Sequence, residues 1–363
     1  MRTNLVGSTG LILAILLASC NVTKIAEKRT TRAFEAGGLV QHTYTDAAGA
    51  HFTWASKDLA KNSKPKLMLV HGITSSSAMW SGNVQGLAQH FDLVVPDLIG
   101  HGRSTTAWSG SSVDLQVAHL INILDSLGVP GPVYVVGNSY GGAISANFAE
   151  QHPHRTKALV ISDGPASEYT SAIADSVARS RGATDIADLF TPKNKDEMYR
   201  LLAVAMNEPP KVPGFARKQL FKKYQSHQAV YLGLLQDLLK NEQRYAQKRY
   251  LWTMPVYVVW GEGDKLIPPF VGRGIAARNE LPADHLIMMP NAGHATNVEQ
   301  PVAFNEHLIR ILKDAPCMDP ERRSEGPCTM EYDPYCGCDS KTYPNRCAAW
   351  RAGVQLIGRG ECK

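Results

Sequence analysis

Gly137-Asn-Ser139-Tyr-Gly141-Gly142 is the segment most diagnostic of the fold, because it sets a serine among glycines at the end of an apolar run. The run before it, Val133-Tyr-Val-Val, is typical of a buried strand, and a helix-like segment follows. Small neighbours allow a tight strand-to-helix turn that lifts the serine hydroxyl above the sheet. The helix would also aim its first amide, that of Tyr140, at developing negative charge. We therefore predict that Ser139 is a nucleophile on this turn.

Short apolar runs alternate with longer helical segments on both sides of this turn. Near-continuous Val, Leu and Ile runs indicate parallel strands buried on both faces, so the pattern predicts an α/β fold with helices on both sides of a mostly parallel sheet. No such run occurs between Gly164 and Met254, where amphipathic segments predict a helical cap at about residues 165–250. The strand-like runs are residues 66–71, 91–97, 133–137, 158–162, 255–260 and 284–289.

Segments between about residues 65 and 312 resemble the α/β-hydrolase fold family, in the order that this family has them. His71-Gly72-Ile73 resembles the oxyanion loop, and Pro96-Asp97-Leu-Ile-Gly100-His101-Gly102-Arg-Ser104 resembles a structural turn of the family. Gly261-Glu-Gly-Asp264 and Asn291-Ala-Gly-His294 resemble the acid and base loops. The resemblance implies that the backbone N–H groups of Ile73 and Tyr140 form the oxyanion hole.

Acyl transfer to water requires the same residue types. A serine hydroxyl is a weak nucleophile unless an imidazole takes its proton, and the imidazole needs a carboxylate to orient it. Asp264 and His294 each follow a strand run, so both should lie at the carboxyl edge of the sheet, beside Ser139. Asp163 also follows a strand run and remains an alternative acid. We predict a triad of Ser139, Asp264 and His294.

This triad predicts acyl transfer to water, and we expect a carboxylic-ester hydrolase that works through an acyl-enzyme on Ser139. Lactone, amide and carbon–carbon substrates remain alternatives. The elbow is similar to that of some carbon–carbon hydrolases, but their usual Gly-Pro-Gly oxyanion loop is absent from His71-Gly-Ile-Thr74. The sequence has no metal-ligand cluster or phosphate loop, and its net charge of +5 is spread over 363 residues. We therefore expect no cofactor, no metal and no nucleic-acid partner.

The first 20 residues have the pattern of a secretion signal. Arg2 gives a positive start, residues 11–17 form an apolar core too short to span a bilayer, and Leu17-Ala-Ser-Cys20 follows. The segment resembles a bacterial lipoprotein signal peptide over residues 1–19, which implies that Cys20 is lipidated and anchors the protein in a membrane. Asn21 then favours the cell envelope of a Gram-negative bacterium, at the outer membrane or facing the periplasm. A plain secretory signal remains the alternative.

Two basic stretches stand outside these motifs. Residues 20–40 are polar and basic, which predicts a tether that lifts a hydrolase domain, residues 41–314, off the membrane. The second stretch, Arg217-Lys-Gln-Leu-Phe-Lys-Lys223, lies in the predicted cap. It fits either an attraction for anionic substrates or lipid headgroups, or an ordinary solvated helix face.

Cysteines set the end of the chain apart, since six of the seven lie at or after residue 317. Residues 317–363 are too few to bury a sufficient core, so disulfides are expected, and these require an oxidising compartment. Cys328-x7-Cys336 and Cys336-x10-Cys347 resemble the spacing of a Kazal-type serine protease inhibitor domain. Sequence alone allows fifteen pairings of six cysteines. The resemblance implies the pairs Cys328–Cys347, Cys336–Cys362 and Cys317–Cys338.

The same resemblance gives roles to two residues of this tail. Asn345 resembles the family residue that braces the inhibitory loop, and Met330 takes the position offered to the pocket of a serine protease. A loop held by disulfides binds with little further loss of conformational entropy. Such modules also serve as spacers or partner-binding domains. A protease-inhibiting or partner-binding protein is therefore the alternative to an enzyme.

Overall fold

The computed structural model describes residues 22–107, 112–313, 315–318 and 323–362, so the predicted signal peptide and Cys20 lie outside the described residues. Its central sheet has eight strands: β1 (Leu39–Asp46), β2 (Gly49–Ser56), β3 (Lys66–Val70), β4 (Asp92–Pro96), β5 (Val133–Asn138), β6 (Thr156–Ser162), β7 (Val256–Gly261) and β8 (Leu286–Met289). The strand order is β1-β2-β4-β3-β5-β6-β7-β8. Strands β3 to β8 run parallel to one another, and β1 and β2 are antiparallel at one edge.

Strands β3 to β8 coincide with the six predicted apolar runs. Every residue of β4, β5 and β7 is buried. Such strands need apolar side chains on both faces, because a helix layer covers each face of a parallel sheet. The α/β architecture expected from these runs is confirmed.

The β1–β2 hairpin is a feature that the apolar runs do not reveal. Strand β1 lies at the edge of the sheet, and only its first residue, Leu39, is buried. In β2 the residues from His51 to Ser56 are all buried, but polar and apolar types are mixed among them. An edge hairpin therefore forms without the continuous apolar run that marks a central strand.

Helices cover both faces of the sheet and enclose two apolar cores. One core packs β5 residues such as Val135 against the helix that follows the serine, and the other packs Val136 against the last helix of the domain. The helices are α1 (Val22–Ala36), α2 (Val84–Leu87), α3 (Ser112–Ser126), α4 (Tyr140–Gln151), α5 (Ser171–Ser180), α6 (Ile186–Leu189), α7 (Lys195–Ala205), α8 (Gly214–Gln225), α9 (Gln228–Lys240), α10 (Pro269–Arg278), α11 (Thr296–Glu299) and α12 (Pro301–Lys313).

Helices α5 to α9 occupy the chain between β6 and β7, where no strand run was found in the sequence. Local capping starts several of them: Asn194 accepts hydrogen bonds from the N–H groups of Asp196 and Glu197 at the start of α7. These helices occupy the segment predicted to be the cap, and we call them the cap. Within the described part of the chain, no helix combines the length and the apolar character needed to cross a bilayer.

The predicted tether at residues 20–40 is corrected by the structure. Residues 22–36 form helix α1, and β1 begins at Leu39. Phe34 is fully buried, and its ring lies 4.9 Å from that of Trp54 in β2. A polar composition hides this docking, because the one buried side chain of the helix is a single large aromatic and most of its other residues are exposed.

The C-terminal residues form a small unit with its own three-stranded sheet, in the order β10-β9-β11. The cysteines are joined in the pairs that the resemblance implies. The elements are β9 (Tyr335–Gly337), β10 (Thr342–Tyr343), α13 (Arg346–Arg351) and β11 (Leu356–Arg359), with disulfides Cys317–Cys338, Cys328–Cys347 and Cys336–Cys362.

This unit contacts the hydrolase body through polar groups. Gln355 Nε2 donates a hydrogen bond to the Lys157 carbonyl oxygen at 2.7 Å, and the Arg346 guanidinium donates to the Glu150 carbonyl oxygen. Its own apolar core is only a few residues, Tyr335, Ala349 and Leu356. The three disulfides therefore contribute more than the apolar core to holding this unit folded, as expected for so small a core.

Candidate active site

Ser139 joins the end of β5 to the start of α4 on a strained turn. Its φ of 56° and ψ of −124° lie outside the regions that serine ordinarily adopts. Glycines make the turn possible, because a Cβ at Gly137 would lie 2.1 Å from the Gly141 carbonyl oxygen. A Cβ at Gly141 would lie 2.5 Å from the Val70 carbonyl oxygen of β3. The turn therefore holds Ser139 at the carboxyl ends of the parallel strands.

Asp264 and His294 come from the loops after β7 and β8 and are in direct contact. Asp264 Oδ2 lies 2.9 Å from His294 Nδ1. Asp264 Oδ1 accepts the N–H groups of Leu266 and Ile267 at 2.8 and 2.9 Å. A carboxylate only accepts, so Nδ1 carries the donated proton and Nε2 keeps a lone pair. Nε2 is buried and has no hydrogen-bond partner within the part of the chain that the structure describes.

The charge of Asp264 governs the basicity of this imidazole. Burial by itself lowers the pKa of His294, but the charge and hydrogen bond of Asp264, together with the charges of Asp163 and Glu299, outweigh burial, so the pKa is raised above 6.5. A higher pKa makes the neutral imidazole a better acceptor of a serine proton. The pair has the electrostatics of a general base and its orienting acid.

Asp163, the alternative acid, lies after β6 and makes other contacts. Its Oδ1 accepts the Gly261 N–H at 2.8 Å, and its Oδ2 accepts the Thr296 hydroxyl at 2.8 Å. Burial, followed by the charge of Asp264, raises the pKa of Asp163 above its ordinary range. The hydrogen bond to the His294 imidazole comes from Asp264 instead, so the geometry favours Asp264 as the triad acid.

Asn138 is a site residue to which sequence reasoning gave no role. It precedes the serine, and its Nδ2 donates to the His294 carbonyl oxygen at 3.1 Å. The two residues are 156 positions apart, so only the fold brings the elbow and the base loop together. In the sequence, the position of Asn138 between Gly137 and Ser139 is the one signal that could have pointed to this role.

The predicted oxyanion residues adjoin Ser139 on both sides. Tyr140 is the first residue of α4, and the first N–H groups of a helix have no acceptor within it. Gly72, next to Ile73, lies so close to the nucleophile that a Cβ there would be 3.0 Å from Ser139 Cβ. Both backbone segments thus adjoin Ser139, which the predicted oxyanion hole requires.

The buried histidines His71 and His101 shape loops. His71 Nε2 accepts the Leu98 N–H at 3.0 Å, which ties the oxyanion loop to residues 96–104. His101 Nε2 hydrogen-bonds to the Ile73 carbonyl oxygen. Burial lowers the pKa of His71 to about 4 and that of His101 to about 3. Both imidazoles are thus neutral loop supports at ordinary pH.

The cap is hydrogen-bonded to the base loop. The His294 N–H donates to the Ala205 carbonyl oxygen, at the end of α7, at 2.9 Å. Glu299 accepts the Gly293 N–H at 2.8 Å with Oε1 and the Asn207 N–H at 2.7 Å with Oε2. The position of the base is therefore set from the sheet and from the cap together. Nothing in the sequence marked Glu299 for this role.

A second candidate site lies in the C-terminal unit. The Met330 side chain is 99% exposed. Asn345 Nδ2 donates to the carbonyl oxygens of Thr329 and Glu331, on either side of Met330, at 2.9 and 3.0 Å. The loop thus presents Met330 to solvent on a backbone that Asn345 braces.

Comparison with family models agrees with this geometry. Residues 65–301 match the α/β hydrolase fold model, and residues 317–362 match the Kazal-type serine protease inhibitor domain. The first match contains all three residues of the predicted triad, and the second contains all six cysteines of the tail.

Individual relatives agree as well. The chain is 26% identical to Lipase 3 of Moraxella sp. (strain TA144) over 257 residues, which are 70% of this chain and 79% of that protein. It is 27% identical to Lipase 1 of Psychrobacter immobilis over 253 residues, 69% of this chain and 78% of that protein. A solved membrane phospholipase A shares the fold with a TM-score of 0.68 and 21% identity, covering 84% of this chain and 98% of its own. With its elbow, loops and sheet in place and residues 65–301 matched, the chain belongs to the α/β hydrolase fold family.

Proposed function

We propose that the protein is a carboxylic-ester hydrolase that forms an acyl-enzyme on Ser139. The observation that carries the proposal is the 2.9 Å contact of Asp264 with His294 Nδ1, which leaves Nε2 as a free base. The strained elbow supports it, because a serine at φ 56° serves no packing purpose. Both curated relatives named above are lipases, which supports an acyl ester as the substrate class.

The proposed acylation uses these groups in turn. Ser139 Oγ attacks the ester carbonyl carbon while its proton passes to His294 Nε2, and Asp264 stabilises the imidazolium. The carbonyl oxygen becomes an oxyanion and accepts the N–H groups of Ile73 and Tyr140. The intermediate then collapses: the bond to the alcohol oxygen breaks, and the Nε2 proton moves to the leaving alcohol. The acyl group remains as an ester on Ser139.

Deacylation repeats the same transfers with water. The His294 imidazole takes a proton from water, and the resulting hydroxide equivalent adds to the acyl carbon. When the tetrahedral intermediate collapses, the bond to Ser139 Oγ breaks and the serine recovers its proton from Nε2. The carboxylic acid leaves, and the enzyme returns to its starting state.

The cell-envelope location is part of the proposal. The segment ending at Cys20 resembles a lipoprotein signal, and we infer that Cys20 carries the lipid anchor. The three disulfides of the C-terminal unit support this location, since disulfides persist where the compartment is oxidising. Cys20→Ser should abolish labelling with a palmitate analogue in cells. Unchanged labelling would show that Cys20 does not carry the lipid.

The test of the catalytic proposal is hydrolysis of p-nitrophenyl esters of graded chain length. Ser139→Ala should lower kcat by about 10⁴-fold or more, because no other group supplies the nucleophile. Ser145→Ala is the matched control: this serine lies in α4, is buried, and has an Oγ without a hydrogen-bond partner among the described residues. Full turnover by Ser139→Ala would contradict the mechanism. Inactivity of the wild type on every ester would shift the substrate to a lactone, an amide or a carbon–carbon bond.

A second function, inhibition of a serine protease by the C-terminal unit, is favoured by one observation. Met330 is 99% exposed on a loop that Asn345 braces on both sides. A charge at this position would have to be desolvated in an apolar protease pocket, so Met330→Asp should weaken inhibition by about 10²-fold or more. Ile357→Asp, at a 45% exposed residue of β11, is the matched control. Equal inhibition by both variants would exclude Met330 as the contact.

A further inference from the structure

Helix α1 and the cap helix α8 lie side by side in the fold. The Val22 N–H donates to Gln219 Oε1 at 2.8 Å, and Lys223 Nζ lies 3.0 Å from Glu27 Oε1. These partners are 197 and 196 positions apart in the sequence. The fold therefore joins two basic stretches, which the sequence shows separately, into one continuous surface.

Exposed cations on this surface repeat at helical spacing. Lys28 and Arg32 are four residues apart on α1, as are Lys218 and Lys222 on α8, so each pair shares one side of its helix. Helix α8 contains no acidic residue, and the acidic residues of α1 are only Glu27, paired with Lys223, and Glu35. We call the following residues the basic face; they are exposed and have no ion-pair partner among the described residues: Lys28, Arg29, Arg32, Lys218 and Lys222.

Each helix also exposes one large apolar side chain within this face. Ile25 is 44% exposed and Phe215 is 42% exposed. Each precedes a lysine of the basic face by three residues, Lys28 and Lys218, and therefore lies on the same side of its helix. Apolar side chains set among cations are typical of helices that lie in the interface of a membrane.

We propose that the basic face docks on an anionic phospholipid bilayer, with Phe215 and Ile25 inserted among the headgroups. A bilayer explains the apolar side chains and the cations together, whereas an acidic protein would explain the cations alone. The place in the chain agrees, because Cys20 stands two residues before Val22, where α1 begins. The lipid anchor at Cys20 rests on the proposed function, whereas the pattern of charges on the two helices does not depend on it.

Docking in this way would bring the cap to the lipid. On the inner side of α8, the Arg217 guanidinium lies 3.7 Å from the centre of the Tyr199 ring in α7. Helix α7 ends at Ala205, whose carbonyl oxygen holds the His294 N–H. The basic face and the catalytic base are thus connected through two helices of the cap. An ester in the bilayer would be presented on the cap side of the enzyme.

The experiment is vesicle co-sedimentation of the unlipidated mature chain, residues 20–363 with Cys20→Ser. This chain retains every described residue. Vesicles of phosphatidylcholine alone are compared with vesicles that also contain phosphatidylglycerol. We expect binding only to the second kind, weakened by salt, because each cation near an anionic surface raises binding about fivefold.

Two sets of substitutions, each of which removes four positive charges, distinguish an effect of the basic face from an effect of net charge. Lys28, Arg32, Lys218 and Lys222 changed together to Gln should reduce binding by about 600-fold, which is fivefold for each of the four cations. Four exposed cations outside the face, changed together to Gln, should leave it within about twofold, since they lose only long-range attraction. The control set is Lys240, Arg273, Lys313 and Lys341. Phe215→Ser alone should weaken binding to anionic vesicles.

Three results would overturn the proposal: binding that ignores phosphatidylglycerol, equal losses in both sets of variants, or no binding to either kind of vesicle. The last would leave the face to an acidic protein partner. Hydrolysis of a water-soluble p-nitrophenyl ester is measured on every variant. It should stay at the wild-type level, which shows that the fold is intact. Inactivity of the wild type on that ester would instead count against the proposed function. The docking proposal would then be decided by the vesicle-binding results.

Discussion

Two buried carboxylates stand near one imidazole at the centre of this molecule, and their contacts give them different roles. Asp264 uses one oxygen for backbone N–H groups and the other for His294 Nδ1. Asp163 binds the end of β7 and the loop after His294 through Gly261 and Thr296. Asp264 therefore contacts the His294 imidazole directly, and Asp163 binds the loops around it.

Substitution by asparagine should separate these roles. Asp264→Asn leaves the size unchanged but lets the amide favour the wrong imidazole tautomer, so kcat should fall by about 10⁴-fold. Asp163→Asn removes a carboxyl whose pKa is raised by burial, and it should retain activity within about tenfold. Steady-state hydrolysis of a p-nitrophenyl ester measures both. Equal losses in the two variants would mean that the acid role is shared.

The activity should depend on pH through the same pair. Protonated imidazole cannot accept the serine proton, so kcat/KM should fall as the pH drops through the pKa of His294. Because the nearby carboxylates, Asp264 foremost, raise that pKa above 6.5, the acid limb of the profile should have its midpoint above 6.5. A pH profile of kcat/KM checks this value. A midpoint clearly below 6.5 would show that burial, not Asp264, governs the imidazole.

At the scale of elements, helix α1 is held by little apolar surface. Phe34 is its one buried residue, and Ile25 on the other side is exposed. Truncating a fully buried phenylalanine typically lowers the free energy of unfolding by 3–5 kcal/mol, so Phe34→Ala should release the helix at a cost of about 3 kcal/mol. Hydrogen exchange of residues 22–36 measures the release, and Ile25→Ala is the control. Unchanged protection in Phe34→Ala would contradict the docking of this helix.

At the scale of the whole molecule, two folded units have separate cores. The hydrolase body has two large apolar clusters, while the tail buries Tyr335, Ala349 and Leu356 under three disulfides. The contacts between them include the hydrogen bond of Gln355 to Lys157 and the Arg249 guanidinium over the Trp350 ring. Loss of order in the tail should therefore leave the sheet intact.

Removal of one cross-link tests this independence. Cys328→Ala with Cys347→Ala should destabilise the tail by about 3 kcal/mol, more than its small core can absorb. Proteases should then cleave residues 323–362 rapidly, while hydrolysis of a soluble ester stays near the wild-type level. Mass spectrometry of the limited digest, with the activity assay beside it, gives both readouts. A parallel loss of ester hydrolysis would show that the tail supports the active site.

The features of this protein that depend on neighbouring residues could be predicted from the sequence. Apolar runs fixed β3 to β8, because a strand covered on both faces must be apolar throughout. Glycines fixed the elbow at Ser139, because only they fit the turn, and cysteine spacing marked the tail as a separate unit.

Features that depend on residues far apart in the chain became clear from the three-dimensional fold. It favoured Asp264 over Asp163 beside His294, since both carboxylates follow a strand and only their side-chain directions differ. It showed that the predicted tether is helix α1. The polar composition of this segment does not reveal that one ring, that of Phe34, is buried. It also joined α1 to α8, since no local pattern encodes which helix will lie beside another.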